Sequence, residues 1–320
     1  MKKFDSSMAE VIKKVLIIMA SILLKVRNFV EEFYKSHINK ARDQTINKKF
    51  LGLITRCKDE YFVEEFCEYY LNEGVDQIII IDDKSFDKSI YDNLLNHKNI
   101  TIIWEKNIIE NNFINKFYKT IKNKFEWIIY VDVDEFITTK RKNELSIRNE
   151  LLTTFKLAHC IKIPWVMMSC NNIKNSPDSI LQSITHRWDH DKKHINNIPK
   201  FRCRYDKIEV KCIFKPAYFN DVFDHHPIRP AIDDLNVVNS IDNSVSTLNS
   251  WHDNLREIDI KEGIMVCYHY RIISQENNQK KLEQNYWYIK NGYTLDDLIS
   301  SDHPEIVDFT LKKKRLISND

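Results

Sequence analysis

The sequence has 320 residues, of which 43% are hydrophobic and 29% are charged, as is ordinary for a globular protein with a sizeable core. The formal net charge of +2 gives no electrostatic argument for nucleic-acid binding. The four glycines form neither a G-x-G-x-x-G motif nor a Walker loop, so a bound phosphate would need another partner, such as a metal held by carboxylates. Seven cysteines without a C-x-x-C pair indicate reduced thiols and a cytoplasmic location.

The most apolar local run is Val15–Leu24, which basic residues flank on both sides. This run is too short for a membrane-spanning helix, which needs about 20 apolar residues. Helical spacing of Ile18, Ile22 and Phe29 predicts an amphipathic helix, which either packs on the domain or lies on a membrane surface. We expect three parts in the chain, a helical segment over 1–48, a main domain over 49–295 and a tail over 296–320.

Apolar runs rich in branched residues alternate with helical patterns in the first half of the chain. Aromatic residues repeat at helical spacing after the first run, and Gly74 stands where that helix would end. This alternation predicts right-handed crossovers and an α/β fold, with a mainly parallel, Rossmann-like sheet flanked by helices. The predicted strands are Phe50–Thr55, Gln77–Ile81, Ile100–Trp104, Trp127–Val131, Cys160–Trp165, Val210–Pro216 and Ile264–Tyr270, and a further helix is predicted from Ser274 to Lys290.

Three acidic residues, Asp132, Asp134 and Glu135, directly follow the buried strand Trp127–Val131. Ligands of open α/β sheets bind outside the carboxyl ends of the strands, and clustered carboxylates there are costly unless a cation neutralises them. Residues two apart in an extended chain point to the same side, so Asp132 and Asp134 can converge on one divalent metal. The alternative is an acidic turn that faces water, because a lone D-x-D is a weak signal.

Three histidines, His186, His190 and His194, stand four residues apart in a polar stretch. On a helix this spacing would place them on one face, as metal ligands require. No apolar periodicity supports a helix there, so we expect a solvated or substrate-facing loop. The rival hypothesis is a metal-dependent hydrolase that uses these histidines or His225 together with the D-x-D.

Four blocks of the sequence resemble the GT-A-fold glycosyltransferases, in particular the family-2-like and family-92-type enzymes. Each block alone is weak, but their order and content together are fairly specific. The resemblance covers roughly residues 50–290. The first block comprises Thr55–Glu60, Phe66–Tyr70 and Gly74–Asp76, the second Ile81–Ser85 with Asp87, the third Tyr130–Ile137, and the fourth Lys211–Pro216 with Tyr268–Tyr270, Ser274 and Glu276.

The resemblance implies a role for individual residues. The loop after the first strand would cradle the nucleotide, an acid after the second strand would contact the base, and the D-x-D would hold Mn²⁺ or Mg²⁺ against the donor diphosphate. The late His-Tyr element would close over that diphosphate. These roles fall on Thr55, Arg56 and Glu60 for the nucleotide, on Asp82 or Asp83 for the nucleobase, and on Asp132 and Asp134 for the metal, with Asp132 also contacting the donor. His269 belongs to the closing element and is expected to be a further metal ligand.

The sequence departs from the resembled pattern at one position. Family members often carry a lysine just before the serine of the closing element, where this chain has Ile273. A phosphate contact is therefore missing at that point. Arg271 or Lys280 would have to substitute for it.

The resemblance implies a metal-dependent glycosyltransferase that moves a sugar from a nucleotide sugar to a glycan or protein acceptor. The expected donor is a UDP-hexose. Metal-assisted departure of the diphosphate and a carboxylate base near the acceptor hydroxyl would drive the reaction. Candidates for that base are Asp189, Asp191 and Asp224, none of which lies in a motif. Besides the hydrolase, a catalytically inactive GT-A domain that only binds glycan or protein is an alternative, although both aspartates of the D-x-D are present.

Overall fold

The computed structural model describes residues 48–104, 111–140, 146–194, 198, 207–224 and 226–317. The predicted helical segment over 1–48 lies outside these residues except for its last position, and the chain divides into two units after Lys48. Within the described ranges, no helix is both long enough and apolar enough to cross a membrane.

The second unit alternates strands and helices through its first half and is more irregular afterwards. Its strands are β1 (Lys49–Cys57), β2 (Gln77–Asp82), β3 (Ile100–Trp104), β4 (Phe125–Tyr130), β5 (Glu135–Thr139), β6 (Cys160–Ser169), β7 (His186–Arg187), β8 (Ile208–Phe214), β9 (Phe219–Phe223), β10 (His226–Pro230), β11 (Val237–Asn239), β12 (His252–Asp253), β13 (Met265–His269) and β14 (Ile306–Val307). Its helices are α1 (Val63–Asn72), α2 (Asn111–Ile121), α3 (Ile147–Leu152), α4 (Ile180–Ser183), α5 (Glu257–Glu262), α6 (Gln275–Gln284), α7 (Tyr286–Asn291), α8 (Leu295–Ser300) and α9 (Thr310–Ile317).

The central sheet has the strand order β3-β2-β1-β4-β8-β6. Strands β1 to β4 are parallel, whereas β8 runs antiparallel between β4 and β6. The predicted α/β class, with a mainly parallel central sheet flanked by helices, is therefore confirmed. The antiparallel β8 departs from the βαβ rhythm of the first half.

Alternate residues of the parallel strands enter two different cores, because successive side chains of a strand point to opposite faces. Leu51 and Leu53 of β1 join the core that contains α1, whereas Ile54 joins the core that contains α2. Helix α1 ends as predicted, since Gly74 follows it with a φ of 89° that residues with a side chain rarely adopt.

A second layer of pairing extends the sheet beyond the acidic turn. Strand β5 pairs antiparallel with β13, which also pairs parallel with β6. The residues predicted as a tail contribute α8, β14 and α9 to the same unit, where Leu298 and Leu311 are buried and β14 pairs with β7.

Candidate active site

The carboxyl ends of β1, β2 and β4 meet at one edge of the sheet because the three strands are parallel and adjacent. Cys57 pairs with Asp82, and Ile54 pairs with Tyr130. Strand β4 ends at Tyr130, and the chain turns through residues 131–134 into β5. The turn is closed by the Asp132 backbone N–H, which donates to Glu135 Oε2 at 2.9 Å.

Pairing between β5 and β13 brings a histidine onto the acidic turn, because His269 lies directly opposite Glu135. His269 Nε2 lies 3.6 Å from Asp134 Oδ1 and 3.9 Å from Glu135 Oε1. One ligand atom from each of these three residues lies within 4.8 Å of the others, so the group is able to hold a metal ion. Two carboxylates fit Mg²⁺ or Mn²⁺, and the imidazole nitrogen favours the softer Mn²⁺.

Asp132 lies beside this metal-capable group but is not part of it, because its carboxylate points toward Lys211 and Arg56. Its carboxylate is 3.4 Å from Lys211 Nζ and 4.0 Å from Arg56 Nη2. Lys211 is buried, and its Nζ is also 3.0 Å from Glu135 Oε1. The metal-capable group therefore contains Glu135 where the sequence suggested Asp132.

A second lysine reaches the cluster from α6. Lys281 Nζ lies 3.3 Å from Asp134 Oδ2 and 3.8 Å from Glu60 Oε1. The sequence had suggested Lys280, which instead is exposed and pairs with Glu276 at 3.1 Å on the outer face of the helix. We use the name acidic cluster for the four carboxylates of this edge, Glu60, Asp132, Asp134 and Glu135.

Arg271 also lies at this edge, where it and His269 contact the same aromatic ring. Its guanidinium carbon is 5.3 Å from the ring centre of Trp165, and the His269 ring centre is 4.3 Å from the same ring. Arg271 O accepts a hydrogen bond from Lys281 Nζ at 3.3 Å. Of the two substitutes that the sequence suggested for the missing phosphate contact, Arg271 is thus the one next to the cluster.

Burial and neighbouring charges shift the pKa values of the cluster in opposite directions. Burial raises the pKa of Glu135 to about 8 against the opposing effect of Lys211, and it raises the pKa of Glu60 to about 7 against that of Lys281. Burial also acts to raise the pKa of Asp134, but Lys281 and His269 hold it well below its usual range. Burial lowers the pKa of His269 to about 4. A site that holds one carboxylate ionised beside another that resists ionisation is typical of functional centres.

Of the residues predicted to cradle the nucleotide, Thr55 and Arg56 lie within the end of β1, and Glu60 lies in the loop that follows it. Thr55 is buried, and its hydroxyl donates to Arg56 O at 3.3 Å. Burial would lower the pKa of Arg56, but nearby acids hold it above its usual value. Asp132, Asp83 and Asp224 are among those acids. Arg56 therefore interacts electrostatically both with Asp83, the predicted contact to the nucleobase, and with Asp132 of the acidic cluster.

Asp82 and Asp83 differ sharply in their surroundings. The Asp82 side chain is buried, accepts from Tyr91 Oη at 2.9 Å and from the Ser85 N–H at 3.2 Å, and pairs with Lys88. It thereby organises the loop that follows β2. Asp83 is only partly buried, and burial raises its pKa while Arg56 opposes the shift. Of the two, Asp83 is the one accessible to a ligand.

The three aspartates suggested as the catalytic base lie in two places. Asp189 accepts from the Asp191 N–H at 3.0 Å and lies 3.7 Å from Lys192. Asp191 accepts from the Glu257 N–H at 3.2 Å. These contacts belong to the loop after β7 and its neighbours, not to the acidic cluster.

Asp224, in contrast, acts electrostatically on residues at the carboxyl edge of the sheet. It is exposed in the turn between β9 and β10 with a φ of 44°. Its charge acts on both Arg56 and Tyr130, whose side chains stand at the carboxyl ends of β1 and β4. The strand pairing of β4 with β8, and the hairpin that follows β8, bring it there.

The three histidines of the hydrolase hypothesis make structural contacts. His190 and His194 are buried and do not lie in the expected solvated or substrate-facing loop. His190 is buried, and its Nε2 accepts from the Met167 N–H at 3.1 Å. His194 Nε2 bonds Glu305 Oε2 at 2.7 Å, and Asn171 Nδ2 lies 3.4 Å from His186 Nδ1. His225 falls outside the described residues. Over the described ranges, the only group of His, Cys, Asp or Glu placed to hold a metal is Asp134, Glu135 and His269.

Lys211 and Lys281 are site residues that sequence analysis did not assign a role. Lys211 was part of a resembled block, but its place beside Asp132 follows from the pairing of β8 with β4. Lys281 has no comparable signal, because which of the adjacent Lys280 and Lys281 faces the sheet depends on how the helix is rotated.

No protein-family model and no curated protein matches this sequence. Among solved structures, S. aureus TarS 1–349 is similar at 15% identity and a TM-score of 0.26, covering 53% of this chain and 48% of that chain. The same protein in complex with UDP gives 13% identity and a TM-score of 0.27. The chain thus spans about half the length of these TarS chains.

A third solved structure covers more of this chain. The 4-diphosphocytidyl-2C-methyl-D-erythritol synthase from Anaerococcus prevotii is 11% identical with a TM-score of 0.31, over 63% of this chain and 94% of that chain. Likenesses this distant do not identify a function. The fold class stated above therefore rests on the strand order and pairing of this chain itself.

Proposed function

We propose that this chain is a metal-dependent glycosyltransferase that moves a hexose from a UDP-sugar to a glycan or protein acceptor. One observation carries the proposal. A metal-capable group, Asp134, Glu135 and His269, lies at the carboxyl edge of a mainly parallel sheet, next to the cations Arg271 and Lys281. Carboxylates for a metal beside cations for a diphosphate are what departure of a nucleotide diphosphate requires.

Each group of the site has a part in this proposal. Asp134, Glu135 and His269 would hold Mn²⁺ or Mg²⁺, which acts as a Lewis acid on the departing diphosphate. Arg271 would stabilise the negative charge that develops on the leaving group. Asp83 would accept a hydrogen bond from the uracil imide, with Arg56 between it and Asp132.

We assign the base to Asp224 among the three candidates. Its carboxylate would take the proton of the acceptor hydroxyl as that oxygen bonds to the anomeric carbon and the nucleotide diphosphate leaves. This direct displacement would invert the anomeric configuration. The influence of Asp224 on Arg56 and its exposed turn support the assignment, whereas the Asp189 carboxylate bonds its own loop and Asp191 accepts from the Glu257 N–H of α5.

The rival hydrolase would need His186, His190, His194 or His225, of which His225 lies outside the described residues. His190 Nε2 already accepts a backbone hydrogen bond, and His194 bonds Glu305. We therefore retain the transferase. All six described cysteines are free and buried, which supports a cytoplasmic location as part of the same proposal.

A thermal-shift screen of nucleotide sugars with and without Mn²⁺ tests the proposal. A ligand that binds the native state stabilises it by about 2.7 kcal/mol at 100 times its dissociation constant. We expect UDP-sugars to raise the melting temperature together with Mn²⁺, and to raise it much less with EDTA. No shift with any nucleotide sugar in the presence of Mn²⁺ or Mg²⁺ would contradict the proposal.

A further inference from the structure

Helix α6 buries a polar face and contacts the acidic cluster through Lys281. Its fully buried side chains are Asn277 and Asn278, which are 3% and 1% exposed. Asn277 Oδ1 and both polar side-chain atoms of Asn278 are buried without a hydrogen-bond partner. Leaving these amide groups without a partner is unfavourable, whereas the first turn of the helix is held by the Gln275 and Glu276 N–H groups, which donate to Ile173 O and Lys174 O.

Lys281 is the charged contact between this face and the cluster. It lies one turn beyond the two asparagines and is 14% exposed. Its Nζ is 3.3 Å from Asp134 Oδ2 and 3.8 Å from Glu60 Oε1. The ion pairs of Lys281 therefore offset the cost of burying the asparagine amides.

The same carboxylate serves both the lysine and the metal-capable group. Asp134 turns Oδ1 toward His269 and Oδ2 toward Lys281. A divalent cation bound by Asp134, Glu135 and His269 would lie close to the ammonium group in a buried site, where repulsion between like charges is strong. The metal and the present position of Lys281 therefore compete.

We propose that Lys281 is a displaceable counter-ion, which pairs with Asp134 and latches α6 over the site until a divalent cation takes its place. This inference rests on the metal site of the proposed function. It adds that metal binding and opening of α6 are one linked event. The released ammonium group is then free to meet the diphosphate of the donor.

Mn²⁺ binding to the full chain without nucleotide tests this inference, measured by electron paramagnetic resonance or calorimetry. Lys281→Gln removes one of the two ammonium groups that pair with the metal-capable carboxylates and leaves Lys211 on Glu135 in place. We expect Mn²⁺ to bind about tenfold more tightly than in the wild type. Lys281→Arg keeps the charge and Lys280→Gln alters the neighbouring, exposed lysine, so both should stay within about threefold of the wild type. Unchanged or weaker Mn²⁺ binding in Lys281→Gln would overturn the inference, provided that its far-ultraviolet circular dichroism matches the wild type.

Hydrogen exchange of residues 275–284 tests the latch independently of affinity. We expect Mn²⁺ to speed exchange of α6 in the wild type, and Lys281→Gln to exchange fast without metal. Slow exchange in Lys281→Gln would overturn the latch, and Lys280→Gln serves as the matched control. Asp134→Asn separates the two proposals, because retained Mn²⁺ binding in that variant contradicts the metal site itself. Lost binding there, combined with unchanged binding in Lys281→Gln, contradicts the latch alone.

Discussion

The acidic cluster and the surroundings of Arg187 both bury several charges, but they pair them in different ways. Arg187 donates two parallel hydrogen bonds of 2.7 Å to Glu257 and one of 2.9 Å to Asp308. Tyr268 adds a fourth hydrogen bond of 2.9 Å to Asp308. Every charge of this group, which we name the Arg187 network, therefore has a short and directional partner.

The ion pairs of the acidic cluster are longer and shared among more partners. Lys281 divides its charge between Asp134 at 3.3 Å and Glu60 at 3.8 Å, and Lys211 divides its charge between Asp132 and Glu135. Short bidentate pairs fix a structure, whereas loosely shared charges with shifted pKa values leave interactions for a ligand. The comparison therefore favours a structural role for the Arg187 network and supports the proposed binding role of the acidic cluster.

Removing the arginine of the Arg187 network should have the largest effect. Arg187→Met removes a buried cation and leaves the partly buried Glu257 and Asp308 unpaired, so we expect a loss of about 3 kcal/mol in the free energy of unfolding. Urea denaturation measures it. As a control, Arg256→Met removes an exposed guanidinium 3.7 Å from Asp191 and should cost at most about 1 kcal/mol. Equal losses in the two variants would break the comparison.

Removing a charge from the acidic cluster should affect function rather than folding. Asp134→Asn keeps the shape of the side chain but removes a metal ligand, so we expect Mn²⁺-dependent turnover of the nucleotide sugar to fall at least about 100-fold. Asp189→Asn, a matched change outside the cluster, should retain near wild-type turnover. Wild-type turnover in Asp134→Asn, or turnover indifferent to a chelator, would refute the metal-dependent mechanism.

The proposed contact of Asp83 with the uracil ring can be tested against a neighbouring aspartate of the same loop. Asp83→Ala should weaken UDP binding by about 1–3 kcal/mol, because the uracil imide would lose its acceptor. Calorimetry with UDP and Mn²⁺ measures the change. Asp87→Ala alters an exposed aspartate of the same loop and should bind UDP as the wild type does. Unaltered affinity in Asp83→Ala would remove Asp83 from the site.

The smallest effect concerns a carboxylate outside the cluster, and it depends on pH. Burial would raise the pKa of Glu305, but the Asp189 N–H, Lys192 and His194 lower it to about 2. A carboxylate with a lowered folded-state pKa stabilises the fold above its unfolded pKa of about 4.3, and this stability is lost as the pH falls toward 2. Because Glu305 is 25% exposed, we expect about 1 kcal/mol.

Comparison with Glu305→Gln isolates this contribution. The free energy of unfolding should fall more steeply in the wild type than in the variant between pH 5 and pH 2, over the range set by the two pKa values. Urea titrations at several pH values measure both curves. Parallel curves would mean that Glu305 contributes no linked stability.

Local patterns in the sequence determined the framework of the protein. The four parallel strands, the helical spacing of the aromatic residues and the stop at Gly74 are short-range features, and each was predicted within a few residues. The position of Asp132 and Asp134 after a buried strand is local as well. It follows from chain direction alone that these carboxylates stand at the carboxyl edge of the sheet.

Tertiary structure alone decided which residues join those carboxylates. Lys211 reaches Asp132 because β8 inserts antiparallel beside β4, and His269 reaches Glu135 because β13 pairs with β5. Pairing between strands so distant in the chain has no short-range signature in the sequence. The choice of Lys281 over Lys280 depends on how α6 is rotated against the sheet, since adjacent helical residues point about 100° apart. That rotation is set by packing, which only the folded chain defines.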